Sequence, residues 1–353
     1  MITSTDRFYP YRLEPQEKPA IWGGDALVER YGKQADRNAA IGESWECWDE
    51  NRVDNGALAG ATLGELRHVL GADLMGPIDS RRIFPILTKI IDARLALSVQ
   101  VHPDDAYAQR VEHQANGKTE CWYILAAQPG AELVLGWARD TDRSEYERRV
   151  ADGSLGDILR RVPVHAGETY YLPAGTLHAI GAGIVLFEAQ QASDLTYRIF
   201  DWNRVGADGR PRELHVAKAG DVLDYGATTR GAVATVRFTE SALERTLLVA
   251  DPRFSLEYVR ARDVDGSIPT HGLPLTLTGL ATPLDVEVGS VRTVVAPYAT
   301  IVVPAAAEQL VVRAAGDMLI VRPQPRLDRL RADALRGGIA GARADAFFAQ
   351  FAN

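Results

Sequence analysis

Four residues of this 353-residue chain, Gln100, His102, Glu120 and His178, carry donor atoms that together suit a divalent cation. In Leu95-Ala-Leu-Ser-Val-Gln-Val-His-Pro-Asp-Asp105, the apolar Leu95, Leu97, Val99 and Val101 alternate with Ala96, Ser98, Gln100 and His102. Period-two alternation reads as a β-strand, so the amide and the imidazole share one face. By the same count Lys118, Glu120 and Trp122 share a face in Gly117-Lys-Thr-Glu-Cys-Trp-Tyr-Ile-Leu125. A wet surface explains such faces as well as a metal does. A carboxylate turned inside a barrel, however, is costly unless it is paired or ligating, and a divalent cation removes that cost. One amide oxygen, two imidazoles and one carboxylate suit zinc, with manganese, iron or cobalt as competitors, and no thiolate is needed.

The elements that must position these residues are short strands. Gly167-Glu-Thr-Tyr-Tyr-Leu-Pro-Ala-Gly-Thr-Leu-His178 runs from a strand pattern into Pro173-Ala-Gly175 and on to His178. Pro173 presets a turn and ends ladder pairing, while Gly175 permits a positive φ, and the chain then enters a new strand at His178. This Gly-x5-Pro-x-Gly-x2-His pattern resembles the second motif of the cupin superfamily, small jelly-roll barrels that hold a metal inside. Further apolar or alternating runs recur at close spacing along the whole chain, among them RIFPILTKI, GIVLFEA, FSLEYVRA, LPLTLTGL and DMLIVRP. Turn residues separate them, which predicts a sandwich or barrel of short strands; with the resemblance to cupins, the implied fold is mainly β, cupin jelly-roll barrels in two packed β domains with a few short helices. Thr62 with Glu65 forms a capping-box signal, and Asp104 and Asp142 mark two other helix starts.

Composition bounds the function. Charged residues make up 24% and the formal net charge is −8, which argues against nucleic acid or an anionic membrane as the main partner. The first residues carry no secretory pattern, no apolar run is long enough to span a bilayer, and the two cysteines, Cys47 and Cys121, form no disulfide framework. The expected compartment is the cytoplasm. A turn-rich stretch near residues 225–235 predicts a boundary. Residues 1–230 are read as a metal-binding catalytic domain, 231–323 as a second cupin-like domain without metal, and 324–353 as a helical or loose extension. His68, His113, His165, His215 and His271 are read as structural. Trp22, Trp45, Trp122 and Trp202 are read as core or pocket walls.

Seven segments, Ile21–Gly24, Gly42–Glu46, Leu97–Asp105, Gly117–Leu125, Leu172–Gly181, Gln190–Trp202 and Pro211–Val216, together resemble the type I mannose-6-phosphate isomerases, in order and over most of residues 8–220. The likeness is to the shorter bacterial form; Thr119 stands where longer members have a proline. The resemblance implies one Zn2+ per subunit at Gln100, His102, Glu120 and His178. It implies that Arg198 acts in the active site, with Lys118, Lys89 and Asp194 as further catalytic candidates.

An aldose–ketose isomerase moves a proton between C1 and C2 of an opened sugar through a cis-enediol. It must polarise the carbonyl, carry the proton and grip the phosphate. Arg198 stays protonated, so its expected task is to bind phosphate or to stabilise developing negative charge. Lys118 sits two residues from Glu120 on the same face, where a nearby cation and low hydration favour the neutral amine, so it is an acid/base candidate. Lys89 ends an apolar run and enters the barrel or marks a strand end; Asp194 orients a basic group or acts with bound water; Ser98 and Lys118 touch substrate. The expected partner is a small phosphosugar, and the protein a monomer or homodimer. The competing functions are a non-catalytic sugar-phosphate-binding cupin, an isomerase for a related phosphosugar, and a cupin dioxygenase.

Overall fold

The computed structural model describes residues 7–34, 39–205, 209–262 and 265–352. In chain order the first strands are β1 (Tyr11–Leu13), β2 (Gln16–Gly24), β3 (Ile41–Cys47), β4 (Ile86–Ala93), β5 (Val99–Val101), β6 (Glu120–Ala127), β7 (Glu132–Trp137), β8 (Leu159–Pro163), β9 (Thr169–Leu172), β10 (His178–Ile180), β11 (Ile184–Gln191) and β12 (Tyr197–Phe200). The chain forms two compact units, one of Glu17–Ser44 and Lys89–Ala232, the other of Met1–Gln16, Trp45–Thr88 and Val233–Asn353. Residues Trp45–Thr88, read from sequence as part of the catalytic domain, thus cluster with the later strands.

In the first unit a five-stranded sheet runs β12-β5-β10-β7-β8, and a six-stranded sheet runs β2-β3-β4-β11-β6-β9. Their facing sides share one apolar cluster. Trp122, Ile124, Leu172 and Leu186 come from the larger sheet, and Leu133, Leu135 and Ile180 from the smaller. Each fully buried aliphatic side chain contributes roughly 1.5–3 kcal/mol, so this cluster carries the stability of the sandwich. The outer side of the smaller sheet, with Val99, Val101, Val134 and Ala179, packs on Tyr146 of the helix Arg143–Asp152. Alternation along β5, β7 and β10 therefore separates two apolar layers and sends Gln100 and His178 inward.

The second unit holds a seven-stranded and a four-stranded sheet among the described residues. Its interior is a cluster of apolar side chains that includes Leu243, Val259, Leu277, Val286, Ile301 and Ile320. The region after the last strand is two helices, Leu327–Arg336 and Gly341–Ala349, parted at Gly337–Gly338. The expected helix starts are present. Thr62 accepts from Glu65 N and the Glu65 carboxylate accepts from Thr62 N, while Asp104 and Asp142 cap their helices by accepting from Tyr107 N and Glu145 N.

One expectation is corrected. The run Leu95–Val101 is not one alternating strand. Only Val99–Val101 pairs, Leu95 is 43% exposed, and Leu97 joins the inner cluster instead of the layer of Val99 and Val101. The N–H groups of Leu95 and Leu97 still donate to the Trp22 and Ile180 carbonyls, while side chains meet the carbonyls of the segment. Arg204 donates to the Ala96 carbonyl and the Trp202 indole to the Leu97 carbonyl.

The turn before His178 is held closely. Gly175 has φ +87°, its N–H donates to the His102 carbonyl at 2.9 Å, and an added Cβ would lie 3.0 Å from the Val222 carbonyl. Gly175→Ala should therefore destabilise the protein by about 1–2 kcal/mol. Denaturant unfolding checks this; an unchanged midpoint would show that the turn relaxes freely.

Candidate active site

β5, β10 and β12 place three polar residues side by side. Gln100 stands opposite His178 on one neighbour and opposite Arg198 on the other. His102 follows at the end of β5, and Glu120 opens β6 in the facing sheet. His102, Glu120 and His178 are all buried, with one donor atom from each lying within 4.8 Å of the others. Glu120 Oε2 is 3.5 Å from His102 Nε2, and Glu120 Oε1 is 3.3 Å from His178 Nε2. The Gln100 amide completes the group, 3.3 Å from His178 Nε2, and a half-turn of the amide brings its oxygen to the same place.

The ring orientations suit ligation. His102 Nδ1 donates to the Leu195 carbonyl at 2.7 Å and His178 Nδ1 to the Thr176 carbonyl at 2.8 Å. That tautomer leaves a lone pair on each Nε2, the arrangement found in metal-binding histidines. Burial pushes the Glu120 carboxyl up to about 8, against the pull of Lys118, lowers His178 to about 4 and holds His102 well below the usual imidazole range. Glu120 Oε1 is buried with no hydrogen-bond partner. Two neutral imidazoles, one facing each oxygen of a buried carboxyl group whose Oε1 is unsatisfied, fit a divalent cation.

A cavity of about 310 Å³ adjoins this group, and Ser98, Gln100, Lys118, Lys89, Asp194 and Arg198 all line it. The structure thus brings the sequence-predicted residues to one place. Lys118 Nζ donates to Glu120 Oε2 at 2.5 Å and lies 3.1 Å from His102 Nε2. Lys89 Nζ sits between Glu43 and Glu188, at 3.3 and 3.4 Å. Burial pulls the Lys89 ammonium down, but Glu43, Glu188, Asp194 and Glu120 outweigh it and raise it. Burial works upward on Glu188, yet Lys118 and Lys89 hold it at about 2. Arg198 is lowered by burial and by neighbouring Arg212, and its Nε is buried without a hydrogen-bond partner. Asp194 lies in a turn that Gln190 secures by donating to the Ser193 carbonyl at 2.5 Å.

Sequence reasoning missed Glu43, Glu188 and Arg212, which also line the cavity, whereas Trp22 is the expected wall. For Glu188 a signal existed. It is the one acid in Ile184–Gln191, and it pairs in register with Trp122 while Gln190 pairs with Glu120, on the face of the proposed ligand. Its Oε1 accepts from the Trp122 indole at 2.9 Å. Arg212 lies outside the strands, where no periodicity marks it. Among the other histidines, His215 accepts from Arg198 N and His271 pairs with Asp333, in keeping with structural roles.

A two-sheet jelly roll with histidine, carboxylate and amide donors turned inward defines a cupin. A family model described as phosphomannose isomerase type I, catalytic domain, matches residues 11–123. The mannose-6-phosphate isomerase of Streptococcus mutans is 40% identical over 252 residues, 70% of this chain and 77% of that one. The Bacillus subtilis mannose-6-phosphate isomerase ManA is 42% identical over 227 residues, 61% of this chain and 68% of its own. The crystal structure of a mannose 6-phosphate isomerase from Bacillus subtilis superposes with TM-score 0.82 at 29% identity, over 89% of this chain and 99% of that one. A zinc-bound mannose 6-phosphate isomerase shares the fold, with TM-score 0.72 at 15% identity over 89% of this chain and 99% of that one. The chain belongs to the type I phosphomannose isomerase family.

Removing one member of a buried ionic group leaves the others uncompensated. Lys89→Met should cost about 3–5 kcal/mol of stability. Urea unfolding measures it, and a loss below about 1 kcal/mol would show that Glu43 and Glu188 repack without the ammonium.

Proposed function

We propose that this protein interconverts mannose 6-phosphate and fructose 6-phosphate through a cis-enediol, with a divalent metal, zinc, held by Gln100, His102, Glu120 and His178. The observation that carries the reading is the convergence of the His102 and His178 Nε2 atoms on the buried Glu120 carboxylate, whose Oε1 has no hydrogen-bond partner, beside a cavity lined by Lys89, Lys118 and Arg198. When bound, the ion supplies Lewis-acid polarisation of the sugar's oxygens. The chain's own residues do the rest.

Lys118 is the group that carries the proton between C1 and C2, because its Nζ lies on the cavity wall within reach of two of the ligands. Lys89 is locked between two carboxylates and stays an ammonium, so its task is to donate hydrogen bonds to sugar oxygens. Asp194, on the turn whose Leu195 carbonyl holds His102, orients the substrate or a basic group. Arg198, Arg212 and Ser98 grip the phosphate through charge-assisted hydrogen bonds, which keeps C1 and C2 in register with Lys118. Cytoplasmic residence belongs to the same reading, supported by a sequence with two cysteines and no disulfide framework.

The test is a coupled assay on protein stripped of metal and then reloaded with zinc, cobalt or manganese. Stripping should abolish turnover of mannose 6-phosphate and reloading should restore it. Folded, metal-loaded protein that binds the phosphosugar without turning it over would favour a binding protein instead. Lys118→Met should lower kcat by at least about 100-fold at unchanged metal content. A fall confined to KM would move the proton transfer to another residue.

A further inference from the structure

Beside Arg198 a second charged group is assembled that the reaction itself does not call for. Asp201, only 5% exposed, lies just beyond the end of β12, the strand that carries Arg198. Its carboxylate accepts a bidentate pair from Arg212, Nε at 2.7 Å and Nη2 at 2.6 Å, and a third bond from Arg204 Nη2 at 2.5 Å. Arg204 in turn donates to the Ala96 carbonyl at 2.6 Å, two residues before Ser98. One carboxylate therefore ties together the strand of Arg198, the segment leading to Ser98 and the loop of Arg212.

The charges balance in an informative way. Arg198, Arg204 and Arg212 bring three positive charges against the one negative charge of Asp201, with Glu213 offsetting Arg198 in part, so the group keeps an excess of positive charge, and Arg198 and Arg212 line the cavity. A phosphomonoester at neutral pH carries close to two negative charges and accepts forked guanidinium donors. Without the carboxylate, Arg204 and Arg212 would repel each other and Arg198, and both are exposed enough to swing into water, at 17% and 27% of their side-chain surface.

We propose that Asp201 is a positioning residue for the phosphate: it holds Arg212, and through Arg204 the Ala96–Ser98 segment, in the arrangement that meets a phosphate dianion. The proposal rests on the phosphosugar reading above. It places Asp201 out of contact with the reacting carbons, so its removal acts on phosphate affinity and leaves the proton-transfer step largely alone.

The experiment uses the full metal-loaded chain, wild type and Asp201→Asn, with two readouts: steady-state kinetics on mannose 6-phosphate, and competitive binding of inorganic phosphate measured by calorimetry. Asp201→Asn keeps the side-chain volume. It should raise both KM and the phosphate dissociation constant by about 10- to 100-fold, with kcat falling less than about threefold. Arg212→Lys keeps the charge but breaks the bidentate pair, and should weaken phosphate in the same direction by a smaller factor; it carries the test if the asparagine variant does not fold. An unchanged phosphate dissociation constant in either folded variant overturns the proposal, as does a loss in kcat with KM unchanged. If wild type binds phosphate but does not turn over mannose 6-phosphate, the isomerase reading fails, while the positioning role still stands or falls on the phosphate measurement.

Discussion

The buried carboxylate of Glu120 is the constraint around which the first unit is arranged. A carboxylate with no exposed surface is expensive unless positive charge or hydrogen bonds meet it. Here Lys118 meets one oxygen, while the other faces His178 and lacks a hydrogen-bond partner. The two histidines are turned toward it because the carbonyls of Leu195 and Thr176 take their Nδ1 protons. Backbone just before β10 and just before β12, at the same end of the smaller sheet, thus sets the tautomer that makes the group fit a cation. The apolar cluster behind, with Trp122 5.4 Å from the His178 ring, keeps water away and holds the rings in place.

Two charge arrangements share the cavity wall. Lys89, Lys118, Glu43, Glu188 and Glu120 form a tightly interleaved set in which each carboxylate has an ammonium neighbour. Such a set exposes directed donors and little net charge, which suits an uncharged polyol chain. Arg198, Arg204 and Arg212 around Asp201 carry an excess of positive charge, which suits an anion. A molecule with a neutral sugar body and one dianionic end matches that pairing.

The second unit also has two sheets, with an apolar cluster on the face of the larger one. Buried charges share that face: Arg245 stands opposite Val259 and Glu257 opposite Ile320, Arg245 pairs with Glu257 and with Asp333 of the helix Leu327–Arg336, and His271 pairs with Asp333 as well. These contacts fasten that helix to the strands before it. Function resides in the residues grafted on a fold, and the His102, Glu120 and His178 group lies in the first unit.

The sequence alone determined which side chains share a strand face and where helices begin. Period-two spacing put Gln100 beside His102 and Lys118 beside Glu120, the Pro173–Gly175 turn announced His178, and the caps at Thr62, Asp104 and Asp142 were legible because each acts within three or four residues. Only the tertiary structure decided which faces meet. Gln100 is flanked by His178 and Arg198, Lys89 by Glu43 and Glu188, and Asp201 gathers Arg204 and Arg212, through contacts that follow from strand pairing and loop paths. The same holds for Leu97, which joins the inner cluster against the local alternation, with its N–H on the Ile180 carbonyl and with the Ala96 and Leu97 carbonyls met by Arg204 and Trp202, more than a hundred residues away along the chain. Alternation is a property of neighbouring residues; the partner across a barrel is chosen by the packing of the whole sheet.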